Sequence, residues 1–327
     1  MDLTRFGLHR RPFPPTPDTA SYYPASSHEE VLSRLTQAFG NEEGLALLVG
    51  GVGTGKTLLC HCLLERLCPN AATVFLTNMH ISTRKDLLQA ILYDLSLPYE
   101  KTSEQELRLR LTDFVIDTFA GGTRTLLVLD EAQSLSAEAL EELRLLGNLE
   151  ASQKKAVQIL IVSLPSILDQ MSKPQLDSFD QRLSVRETIQ PLGLEEAIDY
   201  LHHQIRVAGG QPQEVFTEES LEMIARATAG IPRLLNQVGF QALLVAENCE
   251  AGKVDAEIAL EAIAEIGLDL KGELLTDEIP NQDPIAGHGD TLFTVAMPPQ
   301  EHEVPGQELN EELVTYRLFE TPPKRGA

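Results

Sequence analysis

The sequence predicts an α/β protein built on a parallel sheet, with a phosphate-binding loop in that sheet and a small all-helical domain behind it. Three observations lead to this prediction. Continuous apolar runs alternate with helical patterns up to residue 192, as in sheets that helices cover on both faces. The first run, at 44–49, leads into a glycine-rich loop. From residue 193 to 268 only helical patterns follow.

The elements follow one another in a regular order along the chain. An irregular arm is expected at 1–24, an α/β domain at 25–192 and the helical domain at 193–268. Strands are predicted at 44–49, 73–77, 125–130, 157–163 and 185–190. The helices between them are predicted at 28–40, 55–68, 84–95, 103–119 and 137–149. Those of the second domain are expected at 194–207, from Thr217 to Gly230, from Pro232 onward, and from Asp255 to 266.

Composition limits the classes of function. The 327 residues carry a net charge of −23, which argues against a protein that coats nucleic acid. None of the four cysteines stands at a zinc-binding spacing. No apolar run approaches the roughly 18 residues of a membrane span, and the start of the chain has no apolar signal core. We therefore expect a cytoplasmic protein without a membrane span.

The stretch 269–327 differs from the rest in composition. It is rich in Pro and Gly, and from residue 271 it holds eleven acidic and four basic residues. This composition predicts a disordered acidic tail. A short helix at 307–318 that docks a partner is an alternative to an inert, solvated tail.

The loop at 50–57, GGVGTGKT, fits the phosphate-binding pattern G-x-x-x-x-G-K-[ST]. Glycines let backbone N–H groups approach phosphate oxygens, and the following helix points its positive end at the same anion. Lys56 is expected to reach the β- and γ-phosphates, and the Thr57 hydroxyl to ligate Mg²⁺. The predicted nucleotide contacts in this segment are Gly50, Gly51, Val52, Gly53, Thr54, Gly55, Lys56, Thr57 and Leu58.

Two further strand ends supply candidate side chains. Four apolar residues deliver Asp130 and Glu131 to the carboxyl end of one strand, where open α/β sheets bind ligands. Asp130 is predicted to hold Mg²⁺, and Glu131 to polarise the water that attacks the γ-phosphate. Ser163 ends the next apolar run and could donate its hydroxyl to a phosphate or a water. A strand-end serine without a role is an equal alternative.

Arginines are the remaining candidates. Arg233 starts a helix of the second domain, from which it can reach back to the phosphates. Arg182 lies just before the last predicted strand and could act as an arginine finger in the site of a neighbouring subunit. Arg186 is the alternative for that role.

Taken together, these residues resemble the AAA+ ATPases, and within them the secretion-pathway ATPases of the ExeA (general secretion pathway protein A) type. The resemblance covers roughly residues 5–268. It is carried by GGVGTGKT at 50–57, LLVLDEAQSLSAEALEELRLLGNLE at 126–150, FDQRLSVRETIQPL at 179–192 and AGIPRLLNQ at 229–237. Where such proteins often have Gly-Gln-Pro after the fourth strand, this chain has Ser163-Leu164-Pro165.

The resemblance implies ATP as nucleotide, Mg²⁺ as cofactor, Walker A, Walker B and sensor roles for the residues above, and assembly into a ring or partial ring. It also implies that the helical domain acts as a lid. The leading hypothesis is a cytoplasmic ATPase that remodels an unidentified protein partner, in secretion or in pilus or envelope assembly. A nucleotide-dependent assembly switch with little turnover is the second hypothesis. A DNA-associated helper of the transposition type is the third, and the charge of −23 argues against it.

Overall fold

The computed structural model describes residues 2–67, 71–77, 81–151 and 154–268. The predicted tail at 269–327, with its short helix, lies outside these residues. In the described part of the chain, no helix is both long enough and apolar enough to cross a membrane.

Five strands form one parallel sheet, as predicted. They are Leu45–Gly50 (β1), Ala72–Leu76 (β2), Thr125–Leu129 (β3), Val157–Ser163 (β4) and Val185–Ile189 (β5). Their order across the sheet is β2-β3-β4-β1-β5. Every residue of β1, β3 and β4 is buried, because helices cover both faces of the sheet. The carboxyl ends of these three strands therefore meet at one edge.

Helices pack on each side of the sheet. They are Ser26–Gly40 (α1), Lys56–Leu67 (α2), Arg84–Asp94 (α3), Glu104–Ala120 (α4), Ala137–Leu146 (α5) and the short Ser166–Met171 (α6) and Asp177–Asp180 (α7). Helices α1 and α2 cover one face and share a core with Leu48, whereas α3, α4 and α5 cover the other and pack against Leu47. Alternate residues of β1 thus serve two cores.

One predicted helix is too long. We expected a helix at 137–149, but α5 ends at Leu146, and Gly147 is its C-cap. The chain then forms a small antiparallel ladder in which Glu150–Ala151 pairs with Lys154–Lys155. Two residues per strand give too little periodicity for the sequence to show this ladder.

The second domain is helical, as predicted. It contains Leu194–Val207 (α8), Pro212–Val215 (α9), Glu218–Ala227 (α10), Pro232–Asn248 (α11) and Ala256–Ile266 (α12). The side chains of Thr217 and Asp255 cap α10 and α12, each by accepting a hydrogen bond from a backbone N–H in the first turn. These helices surround a hydrophobic core of their own.

The amino-terminal arm is part of that second core. It contains two short 3₁₀ helices, Leu3–Phe6 and Thr19–Ser21, joined by irregular chain. Three of its apolar side chains are buried among the helices of the second domain: Phe6, Leu8 and Phe13. An irregular arm was predicted, but its burial was not. This burial makes the arm a structural part of the helical domain.

Candidate nucleotide-binding site

The phosphate loop connects the end of β1 to the start of α2. Gly53 and Gly55 have φ angles of 76° and 94°, in the left-handed region that glycine adopts without strain. Lys56 is almost fully buried, and its Nζ donates to the carbonyl oxygens of Gly50, at 3.0 Å, and Gly51, at 2.8 Å. The ammonium group therefore lies over the loop. There, phosphate oxygens could replace the two carbonyl oxygens as its hydrogen-bond acceptors.

The other loop residues have distinct surroundings. Thr54 is buried, and its hydroxyl donates to the Gly51 carbonyl at 3.0 Å. The carbonyl of Thr54 accepts a hydrogen bond from Nε2 of His28, on α1, at 2.9 Å. Val52 is 61% exposed at the tip of the loop, whereas Leu58 is half-buried against the core under α1 and α2. No role was predicted for His28, which follows Ser27 near the start of α1.

Thr57 and Asp130 lie side by side. The Thr57 hydroxyl donates to Oδ2 of Asp130 at 2.5 Å, and Asp130 is only 8% exposed. The backbone N–H of Asp130 donates to the carbonyl of Leu76 at 2.8 Å, which fixes the residue at the end of the sheet.

This pair suits Mg²⁺. The ion takes oxygen ligands, and in nucleotide sites it is bound by one or two protein oxygens together with phosphates and water. A hydroxyl and a carboxylate at hydrogen-bond distance are such oxygens. Among the described residues, no group of three or more His, Cys, Asp and Glu side chains is arranged to hold a metal by itself.

Glu131 has an unusual backbone and a specific partner. Its φ is 58°, in the left-handed region, and its N–H donates to Oδ1 of Asp130 at 2.9 Å. The side-chain amide of Gln133 donates to Oε2 of Glu131 at 2.5 Å. The oxygen of the same amide accepts from the Ser163 hydroxyl and from the Leu164 N–H, both at 3.1 Å. Gln133 lies in the motif at 126–150, but no role was predicted for it.

The second domain reaches the loop through the start of α11. The backbone N–H of Arg233 donates to the Gly53 carbonyl at 3.1 Å. A Cβ on Gly53 would lie only 2.8 Å from Cβ of Arg233, so the contact needs glycine. Burial lowers the pKa of Lys56; the charges of Glu131 and Asp130 act in the opposite direction, and that of Arg233 adds to the lowering. Arg233 is therefore electrostatically coupled to the loop lysine.

Arg182 lies away from these residues. It precedes β5, whose first residue, Val185, pairs with Ala46 near the amino end of β1. The phosphate loop follows the carboxyl end of β1, and the six residues of that strand span about 20 Å at about 3.3 Å each. The Arg182 side chain is exposed, whereas Arg186 binds Asp180 through its carboxylate, at 2.9 Å, and its carbonyl, at 2.8 Å. The finger role of Arg182 thus needs a second copy of the chain and stays a prediction.

The five-stranded parallel sheet with its phosphate loop, and the helical domain that touches that loop, define an AAA+ protein. Residues 40–171 match the AAA domain family, AAA_22. The chain is 34% identical over 269 residues to General secretion pathway protein A of Aeromonas hydrophila. The matched region is 82% of this chain and 49% of that protein, so the chain spans about half of its relative's length.

Solved structures show the same fold. CDC6P from Pyrobaculum aerophilum matches with a TM-score of 0.63 at 19% identity, over 76% of this chain and 71% of that one. The Aeropyrum pernix ORC2 protein, in its ADPNP–ADP complexes, matches with a TM-score of 0.59 at 17% identity, over 73% and 66% of the two chains. The predicted fold and the predicted resemblance are both confirmed. The chain has the AAA+ fold and is related to General secretion pathway protein A.

Proposed function

We propose that the protein is a Mg²⁺-dependent ATPase that converts ATP binding and hydrolysis into movement of its helical domain. One observation carries the proposal. At a single edge of the sheet, the loop lysine, the Thr57–Asp130 pair and the Glu131 carboxylate converge, and the start of α11 lies on the same loop.

Each side chain has a distinct task in this proposal. Lys56 would give up its hydrogen bonds to the loop carbonyls and donate instead to the β- and γ-phosphates of ATP. Thr57 and Asp130 would hold Mg²⁺. The ion, when bound, neutralises negative charge on the phosphates. Glu131 would accept the proton of the attacking water, a role for which a positioned base supplies about 10²- to 10⁴-fold in rate.

Two substitutions test the assignment. Lys56→Ala should abolish nucleotide binding, measured with a fluorescent ATP analogue. Glu131→Gln should keep binding and lose phosphate release, because a neutral amide cannot accept the proton. Glu138→Gln, the same change at an exposed position in the first turn of α5, is the matched control. Phosphate release at the wild-type rate from the Glu131→Gln protein would exclude Glu131 as the base.

Coupling to the helical domain is the second part of the proposal. Arg233 adjoins the loop through its backbone, and its side chain is exposed, so it could turn toward a bound γ-phosphate. Arg233→Ala should therefore weaken the preference for ATP over ADP while keeping ADP binding. Equal effects on the two nucleotides would contradict a contact with the γ-phosphate.

The third part of the proposal is a homo-oligomer. Arg182 lies at the opposite end of the sheet from the phosphate loop of its own chain, so as an arginine finger it would act on the loop of a neighbouring chain. Arg182→Ala and Glu131→Gln proteins should each be inactive, yet mixing them should restore part of the activity. In a mixed oligomer, an intact Glu131 of one chain meets an intact Arg182 of the next. Arg186→Ala is the control, and it should retain turnover because Arg186 is bound to Asp180. No recovery on mixing would rule out action of Arg182 on a neighbour.

The pathway is the fourth part of the proposal, and it is supported only by the relative. The likeness to General secretion pathway protein A supports a role in secretion or in pilus or envelope assembly, in the cytoplasm, where ATP is supplied. A partner should remain bound to the Glu131→Gln protein in the presence of ATP and be released from the Lys56→Ala protein. A partner that binds both variants equally would not be a remodelled substrate.

A nucleotide-dependent assembly switch is the second candidate. The observation that favours it is the strand end Ser163-Leu164-Pro165, whose one polar side chain is fully buried and bonded to Gln133. A switch should form oligomers with a slowly hydrolysed ATP analogue and show negligible steady-state turnover. Brisk phosphate release by the wild-type protein would exclude it.

A further inference from the structure

The Gln133 side chain joins two strand ends of the candidate site. Its Nε2 donates to Oε2 of Glu131 at 2.5 Å, and its Oε1 accepts from Ser163 and Leu164, each at 3.1 Å. The chemistry fixes the orientation of the amide. A carboxylate oxygen needs a donor and a backbone N–H needs an acceptor, so only this orientation satisfies both ends.

The turn that presents Gln133 is firmly held. It is the single 3₁₀ turn Ala132–Ser134, and Ala132 is buried. The Ser134 N–H and hydroxyl both donate to the Glu131 carbonyl, at 3.2 Å and 2.9 Å. The amide therefore projects from a fixed backbone, and its two ends can report on each other.

The two ends belong to different parts of the site. Glu131 follows β3, whereas Ser163 is the last residue of β4 and pairs with Val49, the residue before Gly50 of the phosphate loop. Ser163 is fully buried, so its hydroxyl is held toward Gln133 and not toward solvent. A displacement at the end of β4 is thus passed to the Glu131 carboxylate through one side chain.

We propose that Gln133 is a positioning residue that holds the Glu131 carboxylate in place for hydrolysis and ties it to the end of β4. This inference rests on the proposed ATPase function. Gln133 itself contacts neither the loop lysine nor the Thr57–Asp130 pair among the described hydrogen bonds. Its effect should therefore fall on turnover and not on nucleotide binding.

Three substitutions separate the two ends of the link. Gln133→Glu keeps an acceptor for Ser163 and Leu164 but replaces the donor to Glu131 with a second carboxylate. Gln133→Met removes both ends at nearly constant volume. Both should lower kcat about ten- to a hundredfold, part of the about 10²- to 10⁴-fold that a positioned base supplies, with KM and affinity for a fluorescent ATP analogue within about twofold. Ser163→Ala removes one neutral hydrogen bond and should lower kcat about two- to tenfold.

Gln170→Met is the matched control. Gln170 is also half-buried, and its amide donates to the Leu135 carbonyl at 2.9 Å, outside the candidate site. This variant should keep wild-type kcat, and thermal melts should show that all the variants are folded. Wild-type kcat in both Gln133→Glu and Gln133→Met would overturn the proposal, as would a loss of kcat matched by an equal loss of nucleotide binding.

The double variant Glu131→Gln/Gln133→Met shows whether Gln133 acts through Glu131. It should be no slower than Glu131→Gln alone, because the group that Gln133 positions is already removed. A further fall as large as that seen in the wild-type background would contradict the positioning role. A wild-type protein that releases no phosphate at all would instead refute the ATPase function itself, so the two failures are distinguishable.

Discussion

Replacing Phe13 with Ala tests whether the amino-terminal arm is a structural part of the helical domain. The Phe13 side chain is 1% exposed and belongs to the core of that domain. Its ring lies edge-on to Phe216, with centroids 6.3 Å apart. A Cβ built on Gly239 of α11 would come within 3.0 Å of the same ring, so the ring lies directly against that helix backbone. Removing the ring leaves a cavity that the neighbouring glycine cannot fill.

The expected loss of unfolding free energy can be worked from these contacts. Truncation of a fully buried Phe to Ala costs about 3–5 kcal/mol, and the edge-to-face pair accounts for about 0.5–1.5 kcal/mol of such a cost. We take about 4 kcal/mol. At about 2–4 °C for each kcal/mol, Tm should fall by about 8–16 °C.

Thermal unfolding followed by circular dichroism measures this shift. Leu109→Ala, at a large apolar side chain of α4 that is 54% exposed, is the control and should change the unfolding free energy by about 0.5 kcal/mol or less. A Phe13→Ala protein whose Tm lies within about 2 °C of wild type would refute the reasoning, since a fully buried ring cannot be removed at so small a cost.

Three further predictions concern stability. Gly230→Ala should cost about 2–5 kcal/mol in urea unfolding, because φ is +69° and the new Cβ would lie 1.9 Å from the Leu192 carbonyl oxygen. Asp255→Ala removes the N-cap of α12 and should cost about 1 kcal/mol in the same assay. Hydrogen bonds from Arg66 lower the pKa of Glu29, so this pair contributes stability above about pH 4.5 that is lost as the pH falls further. Glu29→Gln should accordingly show a smaller drop in stability between pH 7 and pH 3.5 than wild type.

The sheet and most helices were predictable because their signals are local. The strand Val157–Ser163 and the helix Leu194–Val207 have the predicted bounds, since a run of buried apolar residues and a helical repeat each show within one segment. The convergence of the phosphate loop with Asp130 was predictable for a related reason. Parallel strands place their carboxyl ends at one edge, so two motifs that each follow a strand must meet there.

Two sets of contacts that the sequence did not show, those of the arm and those of Gln133 with the end of β4, are long-range. Phe6, Leu8 and Phe13 have no regular spacing, and the arm is held by residues about 200 positions away, for example through the His9 N–H and the Ala208 carbonyl. The Gln133 link spans 30 residues and depends on the register that sets Leu129 against Ile161. Neither a period nor a motif encodes such a register.

The helical domain is connected to the phosphate loop by two routes, and this arrangement constrains how the domain can move. One contact is direct, from the Arg233 N–H to Gly53. The other runs through the arm, which continues into α1, where His28 donates to the Thr54 carbonyl. The junction is also bound to the helical domain, because the Ser26 N–H donates to the Glu196 carboxylate at 2.8 Å.

A rotation of the helical domain must therefore carry the arm with it, since Phe6, Leu8 and Phe13 lie in that domain's core. The arm in turn pulls on the start of α1 and on its bond to the loop. Two adjacent loop carbonyls, those of Gly53 and Thr54, are thus linked to one domain, the first directly and the second through α1 and the arm. We expect substitutions in the arm to alter nucleotide affinity, although no arm residue lies in the phosphate loop. For Phe13→Ala, an unchanged affinity for a fluorescent ATP analogue at a temperature where the protein stays folded would show that the arm stabilises the domain without transmitting its movement.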